Sequence, residues 1–75
     1  TDARTDIYGL GMTMYHLITG IDPKNPDFRY MPPAMLNPNI PATLDAIINK
    51  CTQVDPMYRY QNCVELMQAL NSVYG

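Results

Sequence analysis

The sequence predicts an all-α fold: three helices, with a long proline-rich loop between the first two. Three observations carry this. Apolar residues recur at helical spacing in three windows. Six of the seven prolines fall between Ile21 and Pro41, and no run alternates with the period of two that a half-buried strand requires. No internal repeat is visible.

The first helix is predicted from Asp6 to Thr19, where Ile7, Leu10, Gly11, Met14, Leu17 and Ile18 share one face. Thr5 or Asp6 suits its N-cap, Asp6 also suits the positive end of the macrodipole, and Gly20 suits a left-handed C-terminal stop. The opposite face carries Tyr8, Met12 and Tyr15, broken only by Gly9, Thr13, His16 and Thr19. A helix so nearly apolar all round expects neighbours on most sides. Gly9 and Gly11 each cost about 1 kcal/mol relative to Ala in a helix interior, so another backbone is expected to come close there.

Pro23, Pro26, Pro32, Pro33, Pro38 and Pro41 keep most of the next stretch out of regular structure, apart from one helical turn expected around Ala34 to Leu36. The stretch exceeds the roughly 12 to 15 residues usual for an unstructured connection, so it reads as a functional surface loop or a segment resting on structure elsewhere. Pro23-x-x-Pro26 and Pro38-x-x-Pro41 have polyproline-ligand spacing, but proline-rich connectors are the commoner use.

A second helix is predicted from about Pro41 to Thr52, with Pro41 near the first turn and Leu44, Ile47, Ile48 and Cys51 on one face. Val54 to Tyr60 reads as a turn, because Pro56 holds Asp55 extended. The third helix starts at Asn62, with Glu65 placed to complete a capping box. Cys63, Leu66, Met67, Leu70, Val73 and Tyr74 continue its apolar stripe.

With 75 residues the chain offers one small domain at most, and 47% hydrophobic with 16% charged residues is globular rather than disordered usage. Net charge is −2 and Arg4, Lys24, Arg29, Lys50 and Arg59 form no stripe, which argues against a nucleic-acid partner. Cys51 and Cys63 both fall on apolar helix faces, so reduced, buried thiols and a reducing cytoplasmic setting are expected. One histidine and no Cys-x-x-Cys pair leave no structural zinc set, and no metal or cofactor is expected in this chain. No apolar run approaches the roughly 18 residues of a membrane span.

No catalytic constellation is present: there is no phosphate-binding glycine loop and no nucleophile elbow. His16 reads as a hydrogen-bonded helix residue, and Met12, Met14 and Met67 as core fillers. Asp6, at the mouth of the most apolar helix, and Arg59, in a turn between two helices, either are exposed and unremarkable or each reach another part of a larger domain, since a buried charge must be paired. Two amphipathic helices cannot cover the first one. The chain is therefore expected either to be the tail of a larger domain or to associate with itself through the exposed apolar face of helix 1. The competing reading is a stand-alone helical interaction module.

Asp6-Ile7-Tyr8-Gly9-Leu10-Gly11, then Leu17-Ile18-Thr19-Gly20 and Pro23, resembles the long central helix of the protein kinase C-terminal lobe. Asp55-Pro56-Met57-Tyr58-Arg59-Tyr60, ahead of Glu65-Leu66 and Leu70, resembles the Asp-Pro-x-x-Arg turn and closing helix of the same family. The order and separation match over nearly the whole chain, and the wording is most similar to bacterial Ser/Thr kinases of the eukaryotic-like type. The resemblance implies that residues 1–75 are the helix F to helix I part of a kinase catalytic domain, with the proline-rich stretch replacing or shortening helix G. Asp6 would hold the catalytic loop through its backbone amides, and Arg59 would pair with the Glu of the Ala-Pro-Glu motif. Gly9 departs from the Ser or Ala of many members. The Gly-rich loop, strand lysine, His-Arg-Asp loop and Asp-Phe-Gly motif are not in these residues, so the chain itself should be inactive. The parent would transfer the ATP γ-phosphate to protein Ser or Thr with magnesium, while this segment anchors the catalytic loop and helps dock substrate. Its partners would be the remainder of the kinase domain and protein substrates. A pseudokinase remnant would have the same scaffold role, and a membrane anchor could lie outside the segment.

Overall fold

The computed structural model describes residues 2–22, 24 and 31–74, the last of these in its backbone only. Four α-helices occur among them: α1 (Ala3–Thr19), α2 (Pro33–Leu36), α3 (Ala42–Cys51) and α4 (Cys63–Tyr74), with a single 3₁₀ turn at Pro56–Tyr58. The fold is all-α, and no strand occurs among the described residues. No helix there is long and apolar enough to cross a membrane. Thr1 and the Pro23-x-x-Pro26 spacing lie outside the described residues.

α1 starts earlier than its apolar pattern suggests, because the cap is Asp2 rather than Thr5 or Asp6. The Asp2 carboxylate accepts from the Arg4 amide at 2.8 Å, and the amides of Thr5 and Asp6 already bond to the Asp2 carbonyl at 2.9 and 3.3 Å. Asp6 therefore stands within the first turns. The C-terminal stop is as predicted: Gly20 takes φ 75° and donates to the His16 carbonyl at 2.8 Å, a conformation that costs other residues their Cβ clearance.

One core cluster joins Ile7 of α1, Ile47 and Cys51 of α3 and Leu66 of α4, with Met14, Tyr60, Ala69, Leu70 and Val73 packed against it. A second joins Tyr15 and Ile48, flanked by Met12, Met14, Ile18, Ile21 and Leu44. α1 is thus buried along Ile7, Gly11 and Tyr15, at i, i+4 and i+8, while Leu10 and Leu17 stay 48% and 77% exposed. The buried line is set by where α3 can approach. A Cβ on Gly11 would lie 2.6 Å from the Cys51 Cβ and 3.0 Å from the Thr52 Cγ2, whereas one on Gly9 would meet nothing within 4 Å. The close approach expected at both glycines is made at Gly11 alone.

The expected turn at Ala34 to Leu36 is α2, with Pro33 buried beneath it. α3 follows Pro41 directly and buries Ile47, Ile48 and Cys51, as its pattern predicts. At α4 the Asn62 side chain accepts from the Glu65 amide at 2.9 Å. The Glu65 carboxylate reaches back to the Gln61 amide at 2.7 Å, one residue earlier than a reciprocal box requires.

Both cysteines are free, but only Cys51 is buried; Cys63 is exposed. Cys63 is the first residue of α4, a turn before the buried Leu66, and Met67 is likewise 56% exposed rather than a core filler. Burial pushes the Cys51 thiol up to about 11, because the thiolate is poorly solvated there.

Candidate functional site

The two polar residues singled out in the sequence both bear on the start of α1. Asp2 and Arg4 form an exposed ion pair at 2.9 Å. The hydrogen bonds from the Arg4 side chain and amide hold the Asp2 carboxyl down at about 2, and the same pairing raises the Arg4 guanidinium.

Arg59 reaches this turn from 55 positions further along the chain. Asp55 caps the 3₁₀ turn by accepting from the Met57 amide at 2.9 Å, and Pro56 occupies its first position. The chain leaves the turn extended at Arg59, φ −85° and ψ 171°, and the side chain turns back onto α1. Its Nε donates to the Gln53 carbonyl at 2.7 Å, Nη2 to the Val54 carbonyl at 3.1 Å and Nη1 to the Arg4 carbonyl at 3.2 Å. The guanidinium carbon lies 4.5 Å from the Tyr8 ring centroid, a cation–π contact that a planar guanidinium makes well. Arg59 thus has partners within the chain.

Arg4 and Tyr8 share a helix face, being four residues apart. Asp6 lies about 200° around the axis from Arg4, so Arg59 and Asp6 address opposite sides of one turn. The Asp6 carboxylate is exposed and accepts no hydrogen bond from a described residue. Leu10, Thr13 and Leu17 continue its face at i+4, i+7 and i+11, and all are exposed.

Beside that face lies a shallow groove of about 380 Å³ lined by Met12, Thr13, His16, Leu17, Asp22 and Lys24. His16 Nδ1 is 3.1 Å from the Ile21 carbonyl, which places a proton on Nδ1 because a carbonyl only accepts. This is the hydrogen-bonded helix histidine the sequence suggests. Among the described residues no three His, Cys, Asp or Glu come together to hold a metal ion.

Tyr8 is the residue that sequence reasoning missed, since it reads only as apolar cover. The signal available is weak: an aromatic one turn after Arg4, and an arginine whose expected carboxylate partner is not in these residues.

A long helix opening with an exposed aspartate, a brief helical turn, an amphipathic helix, an Asp-Pro-x-x-Arg turn and a closing helix together define the helical F-to-I segment of a protein kinase C-terminal lobe. The chain is related over nearly its whole length to bacterial serine/threonine protein kinases. It is 36% identical over 84 aligned positions, 97% of the chain, to the probable serine/threonine-protein kinase CPE1738 of Clostridium perfringens. It is 35% identical over 96% of the chain to the probable serine/threonine-protein kinase CA_C1728 of Clostridium acetobutylicum. To the serine/threonine-protein kinase PknB of Mycobacterium tuberculosis it is 31% identical over 99% of the chain. The chain spans only 12 to 14% of the length of these relatives. No protein-family model matches it. The alignments run to 83 to 85 positions against a chain of 75 residues, so each relative carries residues that this chain lacks.

Proposed function

We propose that this chain is the helical platform of a Ser/Thr protein kinase: the segment on which the catalytic loop rests, with protein substrate docking nearby. The observation that carries the reading is Asp6. A helix holds its carboxylate in a fixed place, exposed and without a hydrogen bond from a described residue, at the head of a face that Leu10 and Leu17 leave apolar and uncovered. A carboxylate with free acceptor capacity suits backbone amides arriving from a separate segment. An adjoining apolar strip suits the side chains that would come with it. On this reading the remainder of the kinase domain covers that face, brings ATP and magnesium, and transfers the γ-phosphate to Ser or Thr. Asp6 then works as a positioning residue, and Arg59 anchors the opposite side of the same turn.

The test is phosphoryl transfer from radiolabelled ATP to casein by the complete gene product that carries this chain. Asp6→Ala is expected to lower turnover about a hundredfold, the usual cost of misplacing a catalytic group by about 1 Å, while helical content and the hydrogen exchange of α1 stay as they are. Unchanged turnover would remove Asp6 from the role. No transfer by the unaltered protein would overturn the kinase reading.

A further inference from the structure

The segment 31–40 is held from outside itself. α2 has four residues, far too few to sustain a helix alone, and its Met35 and Leu36 are 68% and 39% exposed. Pro33 is its buried side chain. Pro32, at the N-cap, has no side-chain acceptor, and Pro33 has no amide, so the first amide that α2 leaves without a helical partner is that of Ala34. It donates at 2.8 Å to Asp45 Oδ1, a side chain of α3. Asp45 thus performs across space what an N-cap residue performs locally. Its other oxygen accepts from Asn49 Nδ2 at 3.2 Å, which fixes the carboxylate. Two further bonds come from α1: the Tyr15 hydroxyl donates to the Met31 carbonyl at 2.9 Å, and Asn37 Nδ2 donates to the Ile18 carbonyl at 3.4 Å.

We infer that residues 31–40 form a strap that opens as a unit, separately from the α1, α3 and α4 core, and that the Asp45 carboxylate is its latch. The core clusters of Ile7, Ile47, Cys51 and Leu66 and of Tyr15 and Ile48 contain no residue of the strap, whose own buried side chain is Pro33, so its release breaks the Tyr15 hydroxyl bond and uncovers Pro33 while both clusters keep their members. The inference rests on these bonds alone and is independent of the kinase reading.

Hydrogen exchange on the complete gene product tests it. In the unaltered protein Ala34, Met35 and Asn37 should exchange at one common rate, faster than Ile48 and Cys51; exchange as slow as the core would overturn the proposal. Asp45→Ala should speed the three strap amides by about 2- to 30-fold, the range by which removing an N-cap shifts a helix equilibrium, with the centres of α1, α3 and α4 unchanged. Asp45→Asn keeps a capping oxygen but no charge, and with the Asn49 amide turned to offer its oxygen to the new NH2 it should exchange as the unaltered protein does. No change in Asp45→Ala, a rise shared equally by the core, or an Asp45→Asn variant as fast as Asp45→Ala would each sink the latch.

Discussion

The approach of α3 to Gly11 makes the sharpest test of the packing. Gly11→Ala adds a Cβ at 2.6 Å from the Cys51 Cβ and 3.0 Å from the Thr52 Cγ2, where ordinary contact begins at 3.4 Å. The Cys51 Cβ is fixed to the backbone, so no rotamer change relieves the clash and α3 must move, carrying the buried Ile47 and Ile48 with it. Overpacking of this kind costs about 1 to 3 kcal/mol, and a rigid neighbour places it near the upper end. The alanine returns about 1 kcal/mol through helix propensity. The net loss is about 2 kcal/mol, or roughly 30-fold in protection of the α1 and α3 amides, since each 1.4 kcal/mol is tenfold. Gly9→Ala is the control: its Cβ meets nothing within 4 Å, so only the propensity gain remains and protection should rise about fivefold. Native-state hydrogen exchange of the complete gene product reads both. A Gly11→Ala variant as well protected as the unaltered protein would refute the reasoning.

Two further outcomes follow from the titrating groups. Iodoacetamide at pH 8 should label Cys63, which is exposed, and spare Cys51, which is buried with its thiol raised to about 11, until denaturant is added; equal rates would contradict the burial. The Asp2 carboxyl should titrate near 2 by carbon NMR. Its folded-state value is depressed, so the cap and ion pair contribute in full above the model-peptide value of 3.8 and are lost as pH falls through about 2. The Arg4 amide should shift with the same midpoint, and a carboxyl midpoint at 3.8 would show the pair is not formed.

What the sequence made legible was local. Helical spacing located α1, α3 and α4, Gly20 marked the end of α1, and Asp55-Pro56 marked the 3₁₀ turn, because each of these depends on neighbours in the chain. The face of α1 that is buried was misjudged for a non-local reason: Ile7, Leu10, Tyr15 and Leu17 are all apolar enough to face a core, and Gly11 decides among them by admitting α3. Cys63 and Met67 were misplaced for the same reason, since their stripe is continuous while the cover is not. Of the candidate site, Asp6 and Arg59 were legible as charges needing an explanation. The Tyr8 ring and the carbonyls that Arg59 uses were not, because a backbone acceptor leaves no trace in side-chain pattern.

The Arg59 bond to the Arg4 carbonyl spans 55 positions of chain. During synthesis the second partner is added long after the first. At about 5 to 20 residues per second, roughly 3 to 11 seconds separate them. Through that interval the head of α1 has no guanidinium to cover Tyr8, and its apolar sides wait for α3 and α4 to emerge. Within this sequence α1 is therefore complete before the helices that bury its Ile7, Gly11 and Tyr15 line, and before the arginine that fastens its head.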